Sequence, residues 1–230
     1  MNEIHTIPDP LRFASRWLAA LLVTQLVVGP FASFTLLGDA FNGEGGFLVN
    51  AAPHAQSVGL AALLSIGLAF VSAAIAVVLW PVVRPQSERL ALWLAVLAAA
   101  GIALAGIENA QLMSLVSLSQ AYVAATAPDE TLYQALRGVV SGYRNWAHVI
   151  NLLTVGSLLF AMYGALYRFR LVPRLLAGFG MLAALSQMIA VAKPLFGGWV
   201  IFPMLAPLGL ANLALIVWLL WKGLRPERTA

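Results

Sequence analysis

Residues 101–118 read GIALAGIENAQLMSLVSL, a long apolar run that holds one carboxylate, Glu108, with Asn109 and Gln111 beside it. An ionised side chain in membrane hydrocarbon costs at least about 2 to 3 kcal/mol, so such residues are usually kept for a partner or a pathway. Small residues recur four apart in the same run, a spacing that lets helices approach closely. The stretch therefore predicts a buried membrane helix with a polar centre at Glu108.

The composition of the whole chain predicts its class. Hydrophobic residues make up 61% of the 230 residues and charged residues 10%, against roughly 45 to 50% and 25% in soluble domains. The formal net charge of +4 would indicate nucleic-acid binding only if the basic residues shared one solvated face. They lie between apolar runs instead, so we expect a lipid bilayer as partner and no nucleic acid. The absence of cysteine excludes disulfides, thiolate nucleophiles and Cys-ligated metals.

Six apolar runs, separated by polar or proline-containing segments, predict six transmembrane helices. They lie at about residues 15–37, 56–80, 90–119, 143–167, 173–192 and 201–221. The predicted fold class is all-α, a polytopic six-helix bundle that forms one domain over residues 1–230. Pro30 predicts a kink in the first span, and residues 38–55 predict a loop. Between spans three and four, apolar residues at helical spacing in residues 124–142 predict a short amphipathic helix at the membrane interface.

The positive charges predict the orientation of the spans. Ten of the thirteen Lys and Arg residues fall on the side that holds both termini, and three fall on the other. Because basic residues concentrate on the cytoplasmic side, both termini are predicted to be cytoplasmic, in a bacterial inner membrane. The ten are Arg12, Arg16, Arg84, Arg89, Arg168, Arg170, Arg174, Lys222, Arg225 and Arg228, and the three are Arg137, Arg144 and Lys193.

Helix rise predicts a polar layer near the outer face of the membrane. At about 1.5 Å per residue, Glu108, His148 and Lys193 each lie roughly 27 to 30 Å from the predicted cytoplasmic boundary. Arg144 and Asn151 share a helix face with His148, because they stand four and three residues away from it. The candidate ligand-binding residues are therefore Glu108, Gln111, Arg144, His148, Asn151 and Lys193.

Three functions are compatible with this layer. The first is an outer-leaflet pocket that binds a small amphipathic or lipid-like ligand. The second is a membrane enzyme that uses Glu108 and His148 as an acid–base pair. The third is an accessory subunit in which Glu108 pairs with Arg144 or Lys193 only to orient helices. The sequence leaves the ligand, any catalysis and the oligomeric state open.

Motifs for specific chemistry are missing from the chain. The histidines, His5, His54 and His148, lie far apart and no HExxH spacing occurs, so we predict no metal site. Neither a GxSxG nucleophile elbow nor a P-loop is present. A haem held by His54 and His148 is geometrically conceivable, but two histidines do not single it out, and the cofactor stays unknown.

Three segments of the chain resemble a family of multi-pass bacterial membrane proteins described only as a domain of unknown function. The segments are IENA at residues 107–110, NWAHVINLL at 145–153 and RFRLVPRLLAGFGML at 168–182. The resemblance extends over most of the chain and implies the multi-pass fold. It implies no activity, cofactor or ligand.

Overall fold

The computed structural model describes residues 10–44 and 46–225, and these residues are mostly helical with no strand among them. Six helical segments are long and apolar enough to cross a membrane: Leu11–Asn42, Ala55–Val83, Glu88–Ala124, Glu130–Arg168, Arg174–Phe196 and Phe202–Trp221. The predicted fold class, an all-α multi-pass membrane protein, is confirmed. His5 and Arg228, which entered the sequence predictions, lie outside the described residues.

The helices in chain order are α1 (Pro10–Pro30), α2 (Gly38–Asn42), α3 (Phe47–Asn50), α4 (Ala55–Val83), α5 (Glu88–Ala124), α6 (Glu130–Arg168), α7 (Arg174–Ala192) and α8 (Ala206–Trp221). The 3-10 turns Lys193–Phe196 and Phe202–Leu205 lie between α7 and α8. Helices α5 and α6 are 37 and 39 residues long. Each is therefore roughly 55 to 60 Å long, nearly twice the ~30 Å of membrane hydrocarbon. At ordinary tilt, both helices extend beyond the hydrocarbon.

Pro30 marks a change of helix type. Helix α1 ends at Pro30, and residues Phe31–Leu36 continue as a π-helix. Proline has no N–H to donate, and its ring crowds the carbonyl four residues earlier, so the α-helical hydrogen-bond ladder is interrupted there. A π-helical turn is one of the known ways in which a helix accommodates such an interruption.

The prediction of a separate interfacial helix before span four is wrong. Of the predicted segment 124–142, residues 130–142 form the first part of α6, which runs without a break from Glu130 to Arg168. Asp129 caps the start, because its Oδ1 accepts a hydrogen bond from the backbone N–H of Leu132 at 3.1 Å. No proline occurs between Pro128 and Pro173, so no residue removes a donor from the ladder, and a glycine costs only about 1 kcal/mol in a helix.

The expected loop at residues 38–55 also contains regular structure. The short helices α2 and α3 lie within it. Ala40 of α2 and Phe47 of α3 are buried in a hydrophobic core with Leu112 and Leu115 of α5. Burial of these side chains stabilises helices that are too short to form alone in water.

The chain divides into two compact units. The first comprises the described parts of Met1–Val23, Ala74–Val96 and Gly156–Ala230. In it the hydroxyl of Tyr163, a fully buried residue, donates a hydrogen bond to Asn212 Oδ1 at 2.8 Å, which joins α6 to α8. The ring lies so close to Gly180 of α7 that a Cβ at that position would overlap it. Glycine is therefore required at position 180 for this packing.

The second unit comprises Thr24–Ala73 and Leu97–Val155. Its helices are joined by polar pairs as well as by apolar packing. Gln25 Nε2 donates to Ser72 Oγ at 2.8 Å, and Asn109 Nδ2 donates to Ser65 Oγ at 3.2 Å. Such interhelical hydrogen bonds contribute about 0.6 to 2 kcal/mol each in membrane proteins. Glu108 and the residues that contact its side chain all belong to this unit.

Candidate functional site

Glu108 is the acceptor at the centre of a polar cluster in the second unit. Its side chain is only 7% exposed. Oε1 lies 2.8 Å from His148 Nδ1 and 3.6 Å from Arg144 Nη2. Oε2 accepts a hydrogen bond from Asn151 Nδ2 at 3.0 Å. We call Glu108, Arg144, His148 and Asn151 the Glu108 cluster.

Helix periodicity explains why α6 supplies three members of the cluster. Arg144, His148 and Asn151 are separated by four and three residues, so they project from one face of a 3.6-residue helix. Helix α5 presents Glu108 to this face. An ion pair and two charge-assisted hydrogen bonds therefore join α5 to α6 at one point.

The Glu108 carboxylate determines which ring nitrogen of His148 carries a hydrogen. An ionised carboxylate only accepts hydrogen bonds, so Nδ1 of His148 carries the hydrogen that points to Oε1 of Glu108. In a neutral ring the opposite nitrogen, Nε2, is then an acceptor without a proton. The His148 side chain is 42% exposed. The ring is thus held by Glu108 on one side and reaches out of the protein interior on the other.

Two atoms of the cluster have unused hydrogen-bonding capacity. Arg144 Nε and Asn151 Oδ1 are buried and have no hydrogen-bond partner among the described residues. More than nine in ten buried polar groups in folded proteins are hydrogen-bonded, so each exception needs an explanation. Arg144 also stacks on an aromatic ring, with its guanidinium carbon 5.5 Å from the Phe41 centroid. That ring in turn lies 4.7 Å from the ring of Phe47.

The chain matches the family described as a domain of unknown function, DUF4386, over residues 18–223. It belongs to the DUF4386 family. The match includes all eleven helical segments in whole or in part, together with every member of the Glu108 cluster. The predicted resemblance to such a family is confirmed. No curated protein and no solved structure matches the chain.

The remaining candidate residues of this DUF4386 chain lie outside the cluster. Gln111, one turn beyond Glu108 on α5, is half-buried and makes no hydrogen bond to the described residues. Lys193 begins the 3-10 turn Lys193–Phe196 of the first unit, where its carbonyl accepts the Gly198 N–H at 3.1 Å. The position of Lys193 in one polar layer with Glu108 stays a prediction.

His54 has a local role next to the α3 helix. Its Nδ1 lies 2.8 Å from the carbonyl oxygen of Asn50, four residues earlier. This contact fixes the ring at the start of α4 through the backbone of the preceding turn. Within residues 10–44 and 46–225, no group of three or more His, Asp or Glu side chains is arranged to hold a metal ion.

Sequence reasoning missed Arg137 as a possible member of the site. Arg137 precedes Arg144 by seven residues on α6, so the two lie on nearly the same helix face. One of its guanidinium nitrogens, Nη1, lies beside Gly46, and its Nε is buried without a hydrogen-bond partner among the described residues. The seven-residue spacing was visible in the sequence. It was obscured because Arg137 was assigned to a separate interfacial helix.

Proposed function

We propose that this DUF4386 chain binds a small amphipathic, lipid-like ligand at the Glu108 cluster and at Arg137 on the same face of α6, and that the polar end of the ligand carries an anionic group. The observation that carries the proposal is the buried Nε of Arg144, which has no hydrogen-bond partner among the described residues although Glu108 in the same cluster is bonded through both of its oxygens. Nη2 of Arg144 faces Glu108 at 3.6 Å, and Nη1 donates to Asn145 at 3.5 Å. The Nε–H is one of the donors left without a partner, and we infer that it binds an acceptor from outside the chain.

The charge balance of this helix face favours an anion. Arg137 and Arg144 carry two positive charges, and Glu108 is the one acidic side chain that pairs with either in the described part of the chain. Arg137 makes no ion pair or hydrogen bond to the described residues. A guanidinium that is partly removed from water is costly unless a counter-charge meets it. A phosphate or carboxylate group would supply that counter-charge with the geometry that guanidinium prefers.

Apolar surface beside the cluster suits the other end of such a ligand. The Phe41 ring, 38% exposed, contacts Arg144 and lies against Phe47. Ligand pockets in helix bundles combine apolar walls with a few convergent polar groups. Arg144 over the Phe41 ring, with Phe47 beside that ring, combines a polar group with an apolar wall in this way.

The proposed orientation of the helices predicts on which side of the membrane the site lies. We infer from the charge bias that both termini are cytoplasmic in a bacterial inner membrane, so that the Glu108 cluster faces the outer leaflet. At this depth the guanidinium groups would lie near the headgroup region, where lipid phosphates are available.

Cysteine labelling tests the orientation, since the chain has no native cysteine. We expect an impermeant maleimide to label Asn42→Cys and Thr126→Cys in intact cells. Gln86→Cys, in the turn between α4 and α5, is expected to react only after the membrane is permeabilised. Labelling of Gln86→Cys alone in intact cells would reverse the orientation.

Native mass spectrometry tests the ligand. The wild-type protein is purified gently and exposed to phosphatidylglycerol or phosphatidylcholine at equal concentration. We expect preferential retention of the anionic lipid, and about 10- to 100-fold weaker retention for Arg137→Gln, the usual loss for a hydrogen bond to a charged group. Arg137 is suited to this test because no described contact of the fold depends on its guanidinium.

Ser72→Ala is the matched control for this experiment. It removes the polar contact with Gln25 in the same unit, and it should leave lipid retention unchanged. Equal retention of both lipids by the wild type and by Arg137→Gln would overturn the proposal in favour of a purely structural cluster.

A second candidate function, acid–base catalysis, is favoured by one specific contact. The 2.8 Å approach of His148 Nδ1 to Glu108 Oε1 orients the ring and leaves Nε2 available as a base. His148→Asn places an amide donor towards Glu108 and removes Nε2. If the site is catalytic, a retained ligand changes mass during incubation with the wild type and persists unchanged with His148→Asn. An unchanged ligand in both proteins would exclude catalysis on that ligand.

A further inference from the structure

One face of α6 exposes a regular row of large apolar side chains. The row runs from Leu132 to Ile150, and its members are separated by four, three, four, three and four residues. Their exposed fractions are Leu132 53%, Leu136 42%, Val139 73%, Tyr143 54%, Trp146 47% and Ile150 47%. We call this row the α6 stripe.

The alternation of three and four is the heptad spacing of a coiled coil. Apolar residues at positions a and d repeat every 3.5 residues on average, so they form a seam along one side of a helix. A helix with such a seam packs best against another helix that carries the same repeat. The α6 stripe covers nearly three heptads without a polar interruption.

Contact with lipid does not account for the exposure of the whole α6 stripe, because α6 is longer than the membrane hydrocarbon is thick. Its 39 residues span roughly 58 Å, so about 28 Å of the helix lies outside ~30 Å of hydrocarbon. Glu130, Arg137 and Arg144 identify the first half as the part that extends from the membrane. Leu132, Leu136 and Val139 are therefore apolar side chains with no hydrocarbon to cover them.

The extended part of α6 is itself a packed structure. The rings of Tyr122 on α5 and Tyr133 on α6 meet edge to face, with centroids 5.3 Å apart. The two helices thus pack against each other in this part of the chain, and Leu132 and Val139 are exposed on α6.

We propose that the α6 stripe is the seam of a parallel homodimer, in which α6 packs against α6 of a second copy. Two copies inserted in the same bilayer have the same orientation, so their α6 helices run parallel and present identical heptad positions to each other. This proposal is independent of the ligand proposed above.

The residues that flank the α6 stripe permit such pairing. The positions that flank an a/d seam are e and g, and like charges there would repel a second copy. None of these positions carries a charge between the ends of the stripe: they are Tyr133, Ala135, Val140, Gly142, Ala147 and Val149. Added side-chain atoms at Gly138 and Gly142 would meet no neighbour within 4 Å in one copy, which leaves room for a close helix approach.

The surface area that two paired α6 stripes would bury is sufficient for a stable contact. If each of the six side chains buries on the order of 100 Å², the pair buries about 1,200 Å² in total, at the lower end of specific protein interfaces. Confinement to a membrane raises the effective concentration of the second copy and assists a contact of this size.

Disulfide formation in native membranes tests the seam. A disulfide needs Cα atoms within about 7 Å, which residues at a or d of a parallel pair satisfy and residues on the outer face do not. We expect Val139→Cys to form a crosslinked dimer under mild oxidation, at least several-fold more than Gln134→Cys. Gln134 is the matched control because it is also exposed and lies five residues away, on a different face.

Charge insertion provides the second measurement. Val139→Glu should convert the dimer to monomer in native mass spectrometry, while Gln134→Glu should leave it intact. Val139 is 73% exposed, so the substitution leaves the fold of one copy unchanged. Equal crosslinking at both positions, a monomeric wild type, or crosslinked adducts of Val139→Cys with another protein would each overturn the homodimer.

Discussion

The Glu108→Gln variant is expected to lose about 3 to 5 kcal/mol of unfolding free energy, the usual cost of removing one partner of a buried ion pair. Glutamine keeps the size of the side chain but removes the charge opposite Arg144. It also replaces one of the two carboxylate oxygens, which accept separately from His148 and Asn151, with an NH₂ group that only donates. The Arg144 side chain is 15% exposed, so its charge would remain in a poorly solvated position. Reversible unfolding in mixed micelles measures the loss.

A double-mutant cycle tests whether Arg144 is the ion-pair partner of Glu108. When Glu108→Gln is combined with Arg144→Gln, the total loss should be smaller than the sum of the single losses by about 0.5 to 3 kcal/mol. The matched control is Gln25→Ala, since Gln25 bonds Ser72 and no member of the Glu108 cluster. Its effect should add to that of Glu108→Gln. Additive losses with both Arg144 and His148 variants would contradict the geometry of the cluster.

The Ser119→Ala variant is expected to lose about 2 to 4 kcal/mol. Ser119 is fully buried on α5, and its hydroxyl makes two bonds to the segment that contains α3. Oγ donates to the carbonyl oxygen of Leu48 at 2.8 Å and accepts the Ala52 N–H at 2.8 Å. Alanine leaves both backbone groups unpaired, and each buried unpaired group costs about 1 to 3 kcal/mol. Hydrogen exchange at residues 46–52 should accelerate in step with the loss of stability.

Ser117→Ala is the matched control for Ser119→Ala. Ser117 lies two residues earlier on α5, is exposed, and bonds only the carbonyl oxygen of Met113 in its own helix. A surface substitution of this kind changes stability by no more than about 0.5 kcal/mol. Similar losses for the two variants would mean that the Ser119 contacts do not hold α3 to α5.

Several features of the fold could be predicted because they depend on residues close in sequence. Hydropathy is summed along the chain, so the six membrane helices are visible without any knowledge of their neighbours. Helix periodicity likewise put Arg144, His148 and Asn151 on one face of α6. The continuity of α6 was not predicted, although no proline lies in residues 129–172 and a glycine such as Gly142 costs only about 1 kcal/mol in a helix.

The elements α2 and α3 were missed for a related reason. Each has five residues or fewer, and a helix of that length has no intrinsic stability in water. Phe47 and Ala40 stabilise them by burial against α5. That burial depends on residues more than 60 positions away in the chain, which no local pattern encodes.

The sequence by itself determined the membrane class, the six spans and the presence of a carboxylate inside a span, because composition and local hydropathy carry these properties. The family followed from the resemblance of three short segments. Only the tertiary structure decided which cation meets that carboxylate. Arg144 and Lys193 were both candidates by charge, and helix rise predicted Lys193 at the depth of Glu108 and Arg144 about one turn further out. The register between α5 and α6 nevertheless brought Arg144 Nη2 to within 3.6 Å of Glu108 Oε1. Register arises from the packing of whole helix faces, so it is a property of the fold rather than of any single stretch of sequence.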